Sequence, residues 1–452
     1  MKPEIHMLSR MAFALLVALT TFSGALAEEP VKIVAGPMFT AEGDEGSVSV
    51  WLQTNRDVRL NWAIKSTGDD SKERPGGILE EMWTDQVSLN SARNIFRHEW
   101  PIAPKAYDRS ELTVWHQDGG NRRVLYTGFI PQLPRAAAPG RYTIAFGSCS
   151  HQEKFGEHQP IWDVIVKEKP DCFFYIGDNI YLPNKLMEFP KRRNEVFKLY
   201  CDSYDRERQM PEMQALLRST YSFALWDDHD FGKNNSNRKW PWKGVAREAL
   251  NLYFPNNYGL PDAKGCFYRF AWGDIDVFMT DDRTFRDPNE DPARRTFLGE
   301  KQLAWLKDGL AQSKASFKLI VCGNQILADT HPHESWGVQF RPERDAFLEW
   351  LWEKKIKGVI FLSGDRHFAE LTRKRDPKGK GGDLWELTSS PLANDAYKDG
   401  PTFESADRVA AYSDGVNFGV LDFDTTGKHP RVELRALDVN GKEVIRRRVE
   451  LP

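Results

Sequence analysis

The sequence predicts an α/β domain preceded by a small all-β sandwich. Three observations carry that reading. Residues from about 31 to 135 hold short runs that alternate apolar and polar, with Gly, Asp and Asn between them. From Tyr142 on, short apolar runs alternate with helical stretches, the pattern of α/β layering. Between the two textures, "PQLPRAAAPG" (131–140) reads as a linker of prolines and small residues. The predicted divisions are 1–27, 28–135 and 136–452.

The first division reads as a cleaved secretory signal. Lys2 and Arg10 precede the apolar run Met11–Leu19, and the small-residue site Ala25-Leu26-Ala27 follows. That run is too short to span a bilayer, and no second apolar run of spanning length follows it. Arg10 has Ser9 before it, so a general secretion route is expected rather than a twin-arginine one. The resulting expectation is an exported protein, periplasmic or secreted, with no transmembrane segment after signal cleavage.

In the second division, "SVSVWLQT" (47–54) sets Val48, Val50 and Leu52 on one face, as in a half-buried strand. "LNWAIKS", "ELTVWHQD" and "RVLYTGFI" continue the series, and a small sandwich results. In the third division the apolar runs are "YTIAFG", "DCFFYIG", "YSFALW", "DIDVFMT", "FKLIVCG" and "GVIFLSG". The stretch "LGEKQLAWLKDGLAQS" repeats Leu303, Leu306 and Leu310 at helical spacing, which predicts a helix packed on the sheet. Residues 417–451 read as closing strands, with an Asn-Gly hairpin signal at Asp438–Gly441.

Composition excludes some partners. A formal net charge of -3 gives no reason to expect nucleic acid or an anionic membrane. The 15 Trp and 27 Phe supply apolar area for large cores. Five Cys leave at least one thiol without a disulfide partner. Cys172 and Cys322 lie in strand-like runs and read as core, and a Cys201–Cys266 bridge stays open.

Each of six apolar runs ends on side chains able to do chemistry. "IAFGSCSH" ends in Cys149 and His151, "FFYIGDNIY" in Asp178, Asn179 and Tyr181. "FALWDDHDFGKNN" ends in Asp227, Asp228, His229 and Asp230, then Asn234 and Asn235. "VFMTDDR" ends in Asp281, Asp282 and Arg283, "LIVCGNQ" in Asn324 and Gln325, and "IFLSGDRH" in Asp365 and His367. In open α/β sheets ligands gather in the crevice at the carboxyl ends of the strands. Singly, each motif also reads as a turn, a capping Asp or a buried thiol. Together, six such ends predict a polynuclear metal site. Close carboxylates repel unless a cation offsets them. Carboxylates suit hard cations, whereas imidazole and thiolate suit transition metals. Two metals clamping a phosphoryl group are the usual device for its displacement.

"FGSCS", "GDNIY", "WDDHDFGKNN", "TDDRTFR", "LGEKQLAWL" and "FLSGDRH", in this order, resemble the PhoD-type alkaline phosphatases of the calcineurin-like metallophosphoesterases. The resemblance covers roughly residues 31–452. It implies a four-layer α/β/β/α metallophosphoesterase domain after the β-sandwich, and two or more metal ions, iron and calcium in the family. It places Cys149 as a thiolate ligand, Asp178 as the bridging carboxylate and Tyr181 as a phenolate ligand. Asp228 falls on a superfamily Asn ligand, and His229 on the adjacent catalytic His. Asp365 and His367 match the final ligand pair, with Asp in place of the first His. Asn235, or its neighbour Asn234, matches a further ligand.

Some features depart from the pattern. Lys233 stands where a more acidic run is typical, which bears on the calcium position. His331 and His333 have metal-like spacing but read as rim residues. Arg283, a candidate catalytic residue, either grips a phosphate oxygen or pairs with a buried carboxylate. The implied function is an exported phosphatase that hydrolyses phosphate esters by metal-activated hydroxide, with His229 assisting the leaving oxygen. The alternatives are a phosphodiesterase acting on phospholipid or cell-wall polymer, and a secreted binding protein with a silent catalytic domain.

Overall fold

The computed structural model describes residues 29–42, 47–66, 90, 92–101, 110–156, 158–183, 185, 188–256, 258–289, 295–329, 335–379, 381–402 and 405–451. The expected signal segment, His331 and His333 lie outside the described residues. Among the described residues, no helix is long and apolar enough to cross a membrane.

The first six strands are β1 (Ile33–Glu42), β2 (Ser47–Thr54), β3 (Asn61–Ser66), β4 (Ile95–Pro101), β5 (Ser110–Asp118) and β6 (Asn121–Ile130). Then come β7 (Arg141–Gly147), β8 (Cys172–Ile176), β9 (Tyr221–Leu225), β10 (Tyr268–Trp272), β11 (Ile275–Met279), β12 (Phe317–Val321) and β13 (Val359–Ser363). The last are β14 (Ala369–Lys374), β15 (Leu384–Thr388), β16 (Arg408–Tyr412), β17 (Asn417–Asp424), β18 (Arg431–Asp438) and β19 (Glu443–Glu450). They build a nine-stranded sheet in the order β19-β18-β17-β7-β8-β9-β1-β2-β4 and a seven-stranded sheet, β10-β11-β12-β13-β15-β14-β16. A three-stranded sheet, β3-β5-β6, accompanies them.

Period-two alternation in the second sheet explains its layering. Ile275, Val277, Met279, Phe317, Leu319, Val321, Ile360 and Leu362 join the core shared with the first sheet. Their alternates Phe278, Ile320, Cys322, Val359 and Phe361 join a second core with Leu306 and Leu310 of the helix Glu300–Gln312 and Phe347, Leu348 and Leu351 of the helix Arg341–Glu353. A sheet apolar on both faces must be covered on both, by its partner sheet on one side and helices on the other. The sheets meet through aromatic rings: Phe223 of β9 stacks on Phe270 of β10 with centroids 3.9 Å apart. On the other face of the first sheet, Trp162 of the helix Ile161–Lys167 meets Phe173 edge-on at 5.8 Å. The mixed α/β class and its layering are therefore as expected.

The N-terminal strands are β, and half of them do not stand apart. β1, β2 and β4 extend the nine-stranded sheet, with β1 entering parallel to β9 at Phe39 opposite Tyr221. Trp62 of the separate three-stranded sheet packs on His98 and Trp100 of β4, at centroid distances of 6.2 and 5.9 Å. Residues 32–452 form one unit. The predicted linker is docked: Leu133 is buried and the Ala137 N–H donates to the Gly273 carbonyl at 2.8 Å. The hairpin signal turns between β18 and β19, with Gly441 at φ 77°. All five cysteines are free and buried, so Cys201 and Cys266 do not pair.

Candidate metal centre

Strands β7, β8 and β9 run parallel, as do β11, β12, β13 and β15 in the other sheet. Each set delivers its carboxyl ends to one edge, and the two edges meet. Asn324, after β12, donates from Nδ2 to Asp227 Oδ2 at 3.0 Å, after β9. The Asp365 N–H, after β13, donates to Ser148 Oγ at 3.2 Å, after β7. Gly177 permits this closeness: its φ is 104°, and a Cβ there would stand 2.5 Å from Asp227 Cβ.

Four carboxylates converge. Asp178, Asp227, Asp228 and Asp365 each offer an oxygen, and these atoms lie within 4.8 Å of one another. His229 completes a second group with Asp178 and Asp228. Cys149 Sγ lies 3.7 Å from Asp178 Oδ2, and Tyr181 Oη donates to the same oxygen at 3.1 Å. The His229 N–H donates to Asp178 Oδ1 at 3.1 Å. Asp178 is thus the hub. Asp227 caps the short helix Asp228–Phe231 in a capping box with Asp230, which fixes the order of the "DDHD" side chains.

The backbone is forced at these positions. Among the described residues nine non-glycine residues have positive φ, and five are candidate ligands: Cys149 (62°), Asp178 (50°), Asn235 (61°), Asp365 (65°) and His367 (57°). Asn, Asp and His enter this region more readily than other residues, so Cys149 carries the greatest cost. Such conformations persist only where the surroundings over-determine them, and they cluster at functional sites.

The electrostatics ask for positive charge. Burial, then Asp228, Asp230 and Asp365, push the Asp178 carboxyl well above its ordinary range. Burial also raises Asp227, against the pull of Arg283. Burial opposes ionisation of Asp228, yet His229, Arg283 and the Asn235 N–H hold it at about 2. Burial followed by Asp178 pushes up both the Cys149 thiol and the Tyr181 phenol. Burial lowers His367 and keeps its imidazole a neutral donor of an electron pair. Asp228 Oδ1 and His229 Nδ1 are buried, and neither has a hydrogen-bond partner among the described residues. An unsatisfied carboxylate oxygen amid crowded carboxylates, with a thiol and a phenol beside them, fits metal ions.

Not every predicted residue sits alike. Asn235 is exposed and reaches the cluster through its backbone, its N–H donating to Asp228 Oδ2 at 2.6 Å. His367 follows Asp365 at the same strand end, its N–H tied to Ser390 Oγ at 2.7 Å, outside the tight carboxylate group. Arg283 is fully buried, with Nε 2.5 Å from Asp227 Oδ1 and 3.7 Å from Asp282 Oδ1. Of its two anticipated roles, these contacts are those of the carboxylate partner. Lys233 Nζ lies over the Phe189 ring at 5.0 Å. Two residues outside the expected ligand set join the site. Asp227 belongs to the carboxylate cluster, and the His151 ring stacks on Tyr181. Their signals were the doubled Asp of "DDHD" and the His of "SCSH".

A family model described as PhoD-like phosphatase matches residues 144–436. Among solved structures, one titled "Structure of PhoD" is 17% identical, covers 92% of this chain and 88% of its own, and superposes with a TM-score of 0.67. The purple acid phosphatase from yellow lupin (Lupinus luteus) seeds is 10% identical, with 92% and 74% coverage and a TM-score of 0.62. At such identities these two likenesses show the fold. No curated protein matches the sequence.

Proposed function

The chain belongs to the PhoD-like phosphatase family and is a phosphoric ester hydrolase; from that premise we propose that it is an exported phosphatase working through two or more metal ions, iron and calcium by family resemblance. One observation carries the metal reading: the convergence of buried Asp178, Asp227 and Asp228 with half-buried Asp365 within 4.8 Å.

Asp178, the hub of the cluster, would be the carboxylate shared in holding the ions. Cys149 and Tyr181 would supply thiolate and phenolate, which favour trivalent iron. Asp228, with Asp227 beside it, and Asp365 with His367 would complete the set. Asn235 contributes through its N–H to Asp228, which orients that carboxylate. Ions bound there supply Lewis-acid polarisation of a phosphoryl oxygen and a water acidic enough to ionise near neutral pH.

The remaining steps belong to the chain. His229 is fixed through its backbone N–H to Asp178, and its ring lies tilted against Tyr181 at a centroid distance of 4.3 Å. Its ring nitrogen is free to hold a proton at the leaving oxygen or to offset charge developing there. Arg283 neutralises Asp227 from behind and leaves the crevice to the ester.

Elemental analysis of the purified protein, paired with hydrolysis of a chromogenic phosphomonoester and a phosphodiester before and after chelation, tests the reading. Two or more tightly held metals and chelator-sensitive turnover are expected, and the ratio of the two rates assigns the ester class. A metal-free protein that stays inactive after iron and calcium are added overturns it. N-terminal sequencing of the exported protein tests the cleavage after Ala27.

A further inference from the structure

We propose that His151 is a positioning residue of this centre, holding the Tyr181 ring so that its oxygen meets Asp178. The inference rests on the reading of Tyr181 as a ligand. It begins with three rings in a pile. The His151 imidazole lies flat on Tyr181, with centroids 4.2 Å apart and planes 12° apart, and Tyr181 tilts over His229 at 4.3 Å and 34°. A phenol between two such faces cannot swing sideways about its Cα–Cβ bond, so Oη, which lies on the ring's own axis, stays 3.1 Å from Asp178 Oδ2.

His151 is itself held at three points. Its N–H donates to the Ala393 carbonyl at 2.8 Å, and its carbonyl accepts the Phe155 N–H at 2.9 Å. Its Nδ1 accepts the Lys154 N–H at 3.3 Å, so the neutral ring carries its proton on Nε2. The Lys154 ammonium pairs with Asp395 across the same loops. On this side of Tyr181 the described structure leaves a recess of about 10 Å³, lined by His151 together with Ser150, Ser203 and Glu207. Removing the imidazole joins that recess to the space beside the phenol and lets the whole ring swing into it, carrying Oη away from Asp178.

The ring and the cap separate by substitution. His151→Phe keeps a flat ring and loses the acceptor for Lys154. His151→Asn keeps a capping acceptor and loses the ring. With 3-fluorotyrosine incorporated at position 181, the fluorine NMR spectrum of the metal-free protein reports whether that ring keeps one side-chain rotamer or exchanges among several. Wild type and His151→Phe are expected to show the same restrained pattern, and His151→Asn an averaged line. In the iron- and calcium-loaded enzyme, His151→Asn should lower kcat roughly tenfold or more at unchanged KM, with His151→Phe near wild type. A restrained ring in His151→Asn, an averaged one in His151→Phe, or an averaged one already in wild type overturns the proposal. A restrained wild-type ring in a protein without hydrolysis overturns the phosphatase reading alone and leaves the positioning intact.

Discussion

Arg283 Nε stands 2.5 Å from Asp227 Oδ1, and both side chains are shut from solvent. Removing one partner of a buried pair leaves the other uncompensated, which costs about 3–5 kcal/mol. Arg283→Met should therefore destabilise the metal-free protein by roughly that amount in urea titration. A loss under about 1 kcal/mol, the scale of an exposed pair, would contradict the assignment.

Asp178 links the two halves of the cluster, so its charge has opposite effects with and without metal. Its folded-state value is raised by burial and by Asp228, Asp230 and Asp365. A raised acid contributes stability that is present below its unfolded value, about 4, and lost as pH rises through the folded value. Metal-free Asp178→Asn should thus melt above metal-free wild type at pH 8 and lose that advantage at pH 4. With metals added the order at pH 8 should reverse. Hydrolysis should fall by more than the roughly 10–100-fold typical of residues behind a ligand. Thermal melts at both pH values and metal contents decide it.

His229, with an unpartnered Nδ1 beside the carboxylates, is suited to assist the leaving oxygen. His229→Ala should cost about 10²–10⁴-fold with poor leaving groups, the usual reach of a positioned acid. The cost should shrink for phenols acidic enough to depart unprotonated. A rate loss independent of leaving-group acidity, measured across a series of aryl phosphates, would give His229 a purely electrostatic part.

Glu207 is buried and accepts the Ser150 hydroxyl at 2.7 Å, and burial pushes its carboxyl up to about 8. Its contribution is intact below the unfolded value, near 4.5, and is lost as pH rises to about 8. Glu207→Gln should therefore gain stability relative to wild type across that window, by up to roughly 4 kcal/mol at its upper end, and gain none below it. Urea titrations at pH 4.5 and 8.5 provide the comparison, and equal differences at both would refute it.

The strand ends that carry candidate ligands were legible because each is local: an apolar run and its donors are neighbours in sequence, as in "FFYIGD" or "FLSGDRH". The layering was legible for the same reason, since β11, β12 and β13 are short runs apolar on both faces. The features that escaped depend on distant partners. Arg283 meets Asp227 from 56 positions away, and no pattern around either residue names the other. The entry of β1 beside β9 joins Phe39 to Tyr221, so the N-terminal strands looked like a separate sandwich. In "DDHD" the alternation says that some side chains face the crevice, but only the capping turn decides that Asp227 joins Asp228 there. His151 reads in sequence as one more donor, and its flat contact with Tyr181 exists only once β7 and β8 lie side by side.

The left-handed backbone at Cys149, Asp178, Asn235, Asp365 and His367 has a consequence for any laboratory evolution of this chain. At each of these positions glycine accepts the geometry at less cost than the resident side chain. A library selected for heat resistance alone, without turnover, should drift toward glycine at just these sites and yield sturdier, inert proteins. Selection for catalysis must hold Cys149, Asp178, Asp365 and His367 against that drift, whereas glycine at 235 keeps the N–H that Asp228 accepts, so most thermal hardening of the enzyme has to be sought elsewhere in the chain.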